Sequence, residues 1–311
     1  MLATRMAFGQ ELIEIAKTND SFFICHPDTK SCGLENFGKM FPGRSASFGI
    51  AEQNLVATAA GIASCGNKVF VPTFSVFLTL RACDQIRSLV CYPNLNVTLI
   101  GTHSGLQVGK DGGTHIAVED LAVMRSLPNM AIVEPSDEIS ARAVAHMAVQ
   151  YQGPLYIRLH RSSAPRIHSD DYRFNFGKAE TVCKYGKDAV IFSAGILLDY
   201  ALKAAEILHI EGIKVKVIEV HTIKPIDKDA IISAAKETKA VAVIQDHSIY
   251  GGLGSAIAEV LSAECPTRMR CLGIQDKFGE SGEPEDLYRD NSMTVDDLVR
   301  SVKELVELKA S

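Results

Sequence analysis

Short runs of apolar, often β-branched residues alternate with helix-patterned segments along the whole chain, and this rhythm restricts the fold more than any other feature. In runs such as Lys68–Val71, Asn96–Ile100 and Ala189–Phe192 the apolar residues are nearly continuous rather than alternating. That pattern predicts strands buried on both faces. Further strands are predicted at Phe22–Cys25, Ala131–Val133, Leu155–Arg158, Lys214–Val220, Ala240–Ile244 and Arg268–Leu272. Helices are predicted between them at Gln53–Ser64, Phe77–Cys91, Asp137–Val149, Tyr200–Leu208 and Ala256–Ala263. A last helix, Val295–Leu308, is preceded by Thr294 and has Asp297 near capping-box spacing. Strands of this kind separated by helices build parallel sheets, an α/β class.

At 311 residues the chain is about twice a common domain length, so two parallel-sheet domains are expected. The rhythm breaks at a polar stretch from Ser162 to Lys187 that includes APRIHSDDYRFNFGKAE. This divides the chain into a domain at 1–165, a linker at 166–187 with room for one short edge strand, and a smaller domain at 188–311. Apolar residues at 47% and charged residues at 22% are the balance of a globular chain and exclude a disordered or coiled-coil protein. With 32 basic against 37 acidic residues and no basic stripe, nucleic acid is excluded as a partner. No apolar stretch reaches the ~18 residues of a membrane span. MLATRMAFGQELIEIAK reads as a helix of the fold rather than a signal peptide. Eight scattered cysteines without a CxxC pair fit reduced thiols. A cytoplasmic enzyme without membrane contact is expected.

The densest chemistry lies in GTHSGLQVGKDGGTHIAVED, Gly101–Asp120, between a strand and a helix. In parallel α/β sheets ligands bind beyond the carboxyl ends of strands, where this loop falls. A single histidine is usually structural. His103, Asp111 and His115 together in one glycine-rich loop favour function: metal binding, proton relay or grip on a phosphorylated sugar. Neither GxxxxGK[ST] nor GxGxxG is present. Close strand-to-helix packing accounts for GGLGSA at 251–256 better than an anion site does. SFGIAEQNLVATAAGIASCG puts Glu52 at the start of an apolar helix expected to be buried nearly all round, where a carboxyl can serve as acid or base. In VPTFSVFLTLRACDQIR, Phe74 and Phe77 read by themselves as core residues. Ser162 and Ser163 lack a GxSxG context, which leaves a serine hydrolase without support.

These clusters, in this order, resemble the C-terminal half of transketolase, from ATR at 3–5 through FGESG at 278–282. GIAEQN, the histidine–aspartate–histidine loop and FGESGEP carry the resemblance jointly. It implies a pyrimidine-binding domain followed by a smaller C-terminal domain, with thiamine diphosphate as cofactor. The implied reaction moves a two-carbon ketol unit from a ketose phosphate to an aldose. Residue by residue, Glu52 matches the glutamate that hydrogen-bonds the cofactor's pyrimidine ring nitrogen. A proton shared there favours the imino form of the exocyclic nitrogen, which takes the thiazolium proton. Phe77 matches an aromatic that stacks on the pyrimidine. His103, His115 and Asp111 match groups around the reacting sugar hydroxyls and carbonyl, the two histidines as catalytic groups. Arg5 and Arg161 match phosphate-binding arginines, whose planar fork suits an oxyanion. Asp28 and Ser31 fall in a segment that also reaches the substrate. Three positions depart from the family. Cys83 stands in place of a tyrosine beside the pyrimidine, Ile116 in place of a glutamine, and Lys110 in place of an acidic residue.

Enzymes of this family hold the diphosphate through a metal bound at a GDG motif, and that motif is absent here. The expectation is a split transketolase in which this chain is the C-terminal subunit and carries no metal ligand. An N-terminal subunit would supply the diphosphate domain and Mg2+, in an α2β2 assembly, and activity would need both chains. Three alternatives stand beside it. One is the beta subunit of a 2-oxo acid dehydrogenase, whose loop lacks the paired histidines. Another is a piece of a deoxyxylulose phosphate synthase-like enzyme. The third is a non-catalytic partner with the same fold, a reading that Cys83 and Ile116 leave open.

Overall fold

Two stacks of strands organise the chain. The computed structural model describes every residue except Lys30 and Ser311, and the backbone alone of Ala310. The first sheet contains β1 (Phe22–His26), β2 (Ser45–Ser47), β3 (Lys68–Phe74), β4 (Val97–Thr102), β5 (Ala131–Val133), β6 (Leu155–Arg158) and β10 (Thr222–Lys224). Their order is β10-β5-β6-β4-β3-β1-β2. The second sheet, in the order β12-β11-β8-β9-β7, contains β7 (Glu180–Lys184), β8 (Ala189–Ser193), β9 (Val215–Glu219), β11 (Val241–Ser248) and β12 (Met269–Ile274). All pairings are parallel except β5 with β10 and β7 with β9. Every strand read from apolar runs is present. β2 and β10 were not expected: each is three residues long, and SAS and TIK are too short to carry a pattern. After β9 the chain returns to the first sheet and pairs Thr222 with Val133, a long-range contact with no local signal.

Two helices differ from expectation. Residues 77–91 are not one α-helix: Phe77–Arg81 and Ile86–Cys91 are π-helical, with one α-turn between them and a break at Ala82 (φ −101°, ψ 18°). Such underwound turns are frequent at functional sites. Helix Glu52–Ser64 buries Leu55, Val56, Ala59, Ala60 and Ala63, but Gln53, Asn54, Gly61 and Ser64 are exposed. Alanine and glycine have little apolar area to hide, so their abundance does not force burial on every side. Elsewhere the caps follow the sequence. Thr294 and Asp297 bond each other's backbone N–H reciprocally, and Asp137 with Ser140 does the same at helix Glu138–Gln150.

The two sheets share a core. Leu99 and Tyr156 of the first belong to one apolar cluster with Val190, Phe192 and Val243 of the second. GGLGSA is a packing motif: a Cβ on Gly254 would lie 2.3 Å from Cys271 Sγ, and the Gly254 N–H donates to Gln245 Oε1 at 2.9 Å. All eight cysteines are free. Among the described residues no helix is long and apolar enough to cross a membrane.

His168 fastens the polar stretch to both domains. Its Nε2 lies 2.9 Å from Glu219 Oε2, and its Nδ1 lies 3.2 Å from Asp137 Oδ1. Burial opposes its charge, but the two carboxylates outweigh burial and raise the imidazole to about 10. A group raised on folding stabilises fully below its unfolded value near 6.5, and that stability is lost as pH climbs through about 10. The melting temperature should therefore fall between those limits more steeply in the wild type than in His168→Gln, which takes up no proton. Parallel curves would defeat this assignment.

Candidate functional site

The carboxyl ends of β3 and β4 bring an aromatic ladder together. Phe74 ends β3, and its ring stacks on His103 at 3.9 Å and on Phe77 at 5.7 Å. His115 meets the edge of Phe77 at 5.2 Å. Arg81, one turn beyond Phe77, lays its guanidinium 4.5 Å over the Phe77 ring, and its Nη1 donates to Glu52 Oε2 at 2.9 Å. Glu52 is only 3% exposed. One contiguous contact path thus runs from the buried carboxylate to both loop histidines. Phe74 and Phe77 are half-buried at this ladder rather than in the core. Their surroundings are polar, and each presents a ring face to a histidine or an arginine.

His103 is constrained in backbone, tautomer and charge. It adopts a left-handed conformation (φ 55°), uncommon for a residue with a Cβ and typical of strained functional positions. Its Nδ1 lies 3.0 Å from Thr102 Oγ1, and that hydroxyl donates to the Thr73 carbonyl at 3.1 Å. The hydroxyl proton being so used, Nδ1 carries the imidazole hydrogen and Nε2 is left as an acceptor. Burial first, then the charges of Arg5 and Arg161, push His103 down to about 3. At neutral pH it is an uncharged ring whose Nε2 is free to accept a hydrogen bond from a hydroxyl group.

Two arginines converge from distant parts of the chain. Arg5 Nη1 donates to the Ser31 carbonyl at 2.9 Å, and its Nε donates to the Arg161 carbonyl at 3.4 Å. Arg161 Nη1 donates to the Val108 carbonyl at 2.6 Å and to Asp111 Oδ2 at 3.0 Å. Burial lowers Arg5, and the like charge of Arg161 adds to this. Both forks retain N–H groups that no described bond uses, a pairing suited to a tetrahedral oxyanion.

Of the residues singled out in the sequence, Glu52, Phe77, His103 and His115 lie on the ladder. Arg5, Ser31, Arg161 and Asp111 form an adjoining cluster whose charges reach His103. Two others are not joined to either group by a described contact. Asp28 is exposed, and half-buried Cys83 has Asp84 and Arg87 as its electrostatic neighbours. Sequence reasoning missed Arg81 and the role of Phe74; the spacing of an arginine one turn after Phe77 was the available signal. Two of the departing residues face the C-terminal domain instead. Ile116 is buried against Gly279, and Lys110 pairs with Glu283 at 2.6 Å.

Comparison with known proteins matches two family models to successive parts of the chain. The family model for the transketolase pyrimidine binding domain matches residues 1–166, and that for the transketolase C-terminal domain matches residues 177–298. The 6-deoxy-6-sulfo-D-fructose transketolase subunit SqwH of Clostridium sp. (strain MSTE9) is 38% identical, over 96% of this chain and 92% of its own. An apulose-4-phosphate transketolase subunit of Phocaeicola vulgatus is 33% identical, over 99% of this chain and 98% of its own. A solved structure described as a split gene transketolase, inactive beta4 tetramer, matches with a TM-score of 0.92 at 41% identity. That match covers 99% of this chain and 100% of the other. Two successive family domains, and relatives matched along nearly their whole length, make this chain a member of the transketolase family.

Proposed function

We propose that this chain is the C-terminal subunit of a split, thiamine diphosphate-dependent transketolase that moves a two-carbon ketol unit from a ketose phosphate to an aldose. The observation that carries the reading is the ladder itself: a buried carboxylate, an aromatic plate and a neutral imidazole in one contact path. These residues fit one end of the cofactor. Glu52 is buried, and Arg81, its described partner, is 47% exposed and can be displaced from it and from the Phe77 face. When bound, thiamine diphosphate supplies a thiazolium carbon that takes up the ketol fragment and stores its electron pair. Glu52 would hold a proton at the pyrimidine ring nitrogen, Phe77 would stack on that ring, and Cys83 would flank it. His103 Nε2 and His115 would accept or return hydroxyl protons of the sugar, beside Asp111. Arg5 and Arg161 would grip the anionic head group, with buried Ser31 behind Arg5 and exposed Asp28 in the adjoining segment.

The names of the two relatives carry a sulfo-sugar and a sugar phosphate, both ending in an oxyanion, which supports the arginine pair as a recognition element. Hydrogen bonds to charged groups contribute about 1.5–3 kcal/mol, so Arg161→Ala should raise KM for phosphorylated sugars about 10- to 100-fold. Unphosphorylated acceptors should change far less; equal losses on both would remove the phosphate role.

Among the described residues the one group of three metal-type side chains is His168, Glu180 and Glu219. Its histidine is held protonated by Asp137 and Glu219, so it is an ion cluster of the linker. We assign the diphosphate and its Mg2+ to a second polypeptide, in an α2β2 arrangement with paired sites. Ile50, Leu80 and Leu89, exposed on the segments that flank Glu52 and Arg81, suit burial against that partner. Calorimetry with thiamine diphosphate and magnesium, run on this chain alone and then with a diphosphate-domain subunit, tests the reading. Tight binding and ketol transfer are expected from the pair only. Transfer by this chain alone would overturn the partner dependence, and no transfer by the pair would overturn the transketolase assignment.

A further inference from the structure

The 105–111 turn, which holds Arg161 through Val108 and Asp111, is itself held in place by the other domain. Gly105 opens this turn at φ 69°, and a Cβ there would fall 2.1 Å from Asp246 Oδ2. Asp246 lies on β11 of the second sheet and is 3% exposed. Its Oδ1 accepts the Leu106 N–H at 2.9 Å, and its Oδ2 accepts the Tyr288 hydroxyl at 2.8 Å. That hydroxyl in turn accepts from the Gln107 side-chain amide at 3.0 Å. A single buried carboxylate therefore fixes the start of the turn twice, once directly and once through Tyr288.

The far end of the turn is braced by FGESGEP. A Cβ on Gly112 would meet Ser281 Oγ at 2.4 Å, and one on Gly113 would meet the Gly279 carbonyl at 2.5 Å. The apolar side chains of this stretch, Leu106, Val108 and Ile116, belong to the core cluster of the second domain. The output of the turn is equally specific. The Val108 carbonyl and the Asp111 carboxylate are the two acceptors that hold Arg161 Nη1. A shift of the turn by a fraction of an ångström moves both acceptors, and Arg161 with them.

We propose that Asp246 is a positioning residue for recognition of the substrate's anionic head group, acting through the 105–111 turn on Arg161 and never touching the sugar. This rests on the reading of Arg161 given under the proposed function. It gives the C-terminal domain a task in specificity: the domain sets the geometry of an oxyanion site whose ligating arginines both belong to the first domain. Burial raises the Asp246 carboxyl, and the nearby Arg158 guanidinium opposes that rise. Asparagine keeps one side-chain oxygen for the Leu106 N–H, so it should replace the aspartate in large part.

The test is steady-state kinetics of the assembled two-chain enzyme on a ketose phosphate and on its unphosphorylated counterpart. Asp246→Ala should raise KM for the phosphorylated donor about tenfold or more, with kcat and the KM of the unphosphorylated donor changed about threefold or less. Asp246→Asn should recover most of the difference. Tyr288→Phe keeps the carboxylate and removes one of its donors, so it should shift the same ratio about two- to threefold. It also keeps the question open to measurement if Asp246→Ala does not fold. Folded variants that change both donors equally, or that melt earlier with discrimination intact, would overturn the positioning role. A wild-type enzyme indifferent to the phosphate would instead remove the Arg161 reading on which the inference stands.

Discussion

Glu52→Gln in the assembled enzyme is expected to lower ketol transfer by about two orders of magnitude or more, the scale of a lost general acid–base group. The substitution keeps the shape of the side chain and leaves one carbonyl oxygen able to accept from Arg81 Nη1, the bond that Glu52 Oε2 makes at 2.9 Å. The fold should therefore be little disturbed. What disappears is the anionic oxygen that would hold a proton at the pyrimidine ring nitrogen, since an amide oxygen is far less basic. The loss should fall on kcat, because stacking on Phe77 remains available to the cofactor. Hydrogen–deuterium exchange at the cofactor's reactive carbon isolates this step from sugar binding. Wild-type exchange rates in the variant, with normal cofactor affinity, would sink the role of Glu52.

The parts of this molecule legible in the sequence are those in which one short segment carries its own physics. A nearly continuous apolar run such as Val97–Ile100 suits a strand covered on both faces in a parallel sheet, and β4 pairs with β3 and β6. A loop holding His103, Asp111 and His115 beyond such a strand had to fall at the ligand-binding edge. What could not be read was made of contacts between segments far apart in the chain. β10 is a strand only because Val133 lies opposite Thr222. Phe74 looks like core until the ring of His103 is placed 3.9 Å away. Arg81 carries no sign of its partner, because Glu52 lies on a different helix. Asp246 sits in the polar end of β11, between Gln245 and His247, where nothing local marks it out, and its value comes from Leu106 and Tyr288, on either side of it in sequence. The motif FGESGEP was visible, whereas its work as a brace against Gly112 and Gly113 needed the two domains together.

The largest effect on stability is expected at Arg158, a fully buried cation at the end of β6. Its Nε donates to Asp120 Oδ2 at 2.8 Å, its Nη1 to Glu134 Oε1 at 2.6 Å, and its Nη2 to the Asp246 carbonyl at 2.8 Å. Arg158→Ala leaves two buried carboxylates without their cation, and such a break costs about 3–5 kcal/mol. His160 Nε2, 3.0 Å from Glu134, and the Tyr156 hydroxyl, 2.7 Å from Asp120, relieve only part of this. The pH dependence supplies a second, independent readout. Burial alone would raise Glu134, but Arg158 and then His160 hold it down at about 2. A carboxylate depressed on folding stabilises above its unfolded value near 4.5, and that stability is lost as pH falls through about 2. Without Arg158 that dependence weakens, so the deficit of Arg158→Ala should be widest near neutral pH and should narrow below about 4.5. Removing the stranded charges, in Arg158→Met combined with Asp120→Asn and Glu134→Gln, should recover most of the stability, because apolar and neutral groups carry a smaller desolvation cost. Urea unfolding at several pH values decides the matter. A loss under about 1 kcal/mol, or a deficit that stays constant with pH, would mean that this ion network does not hold the two sheets together.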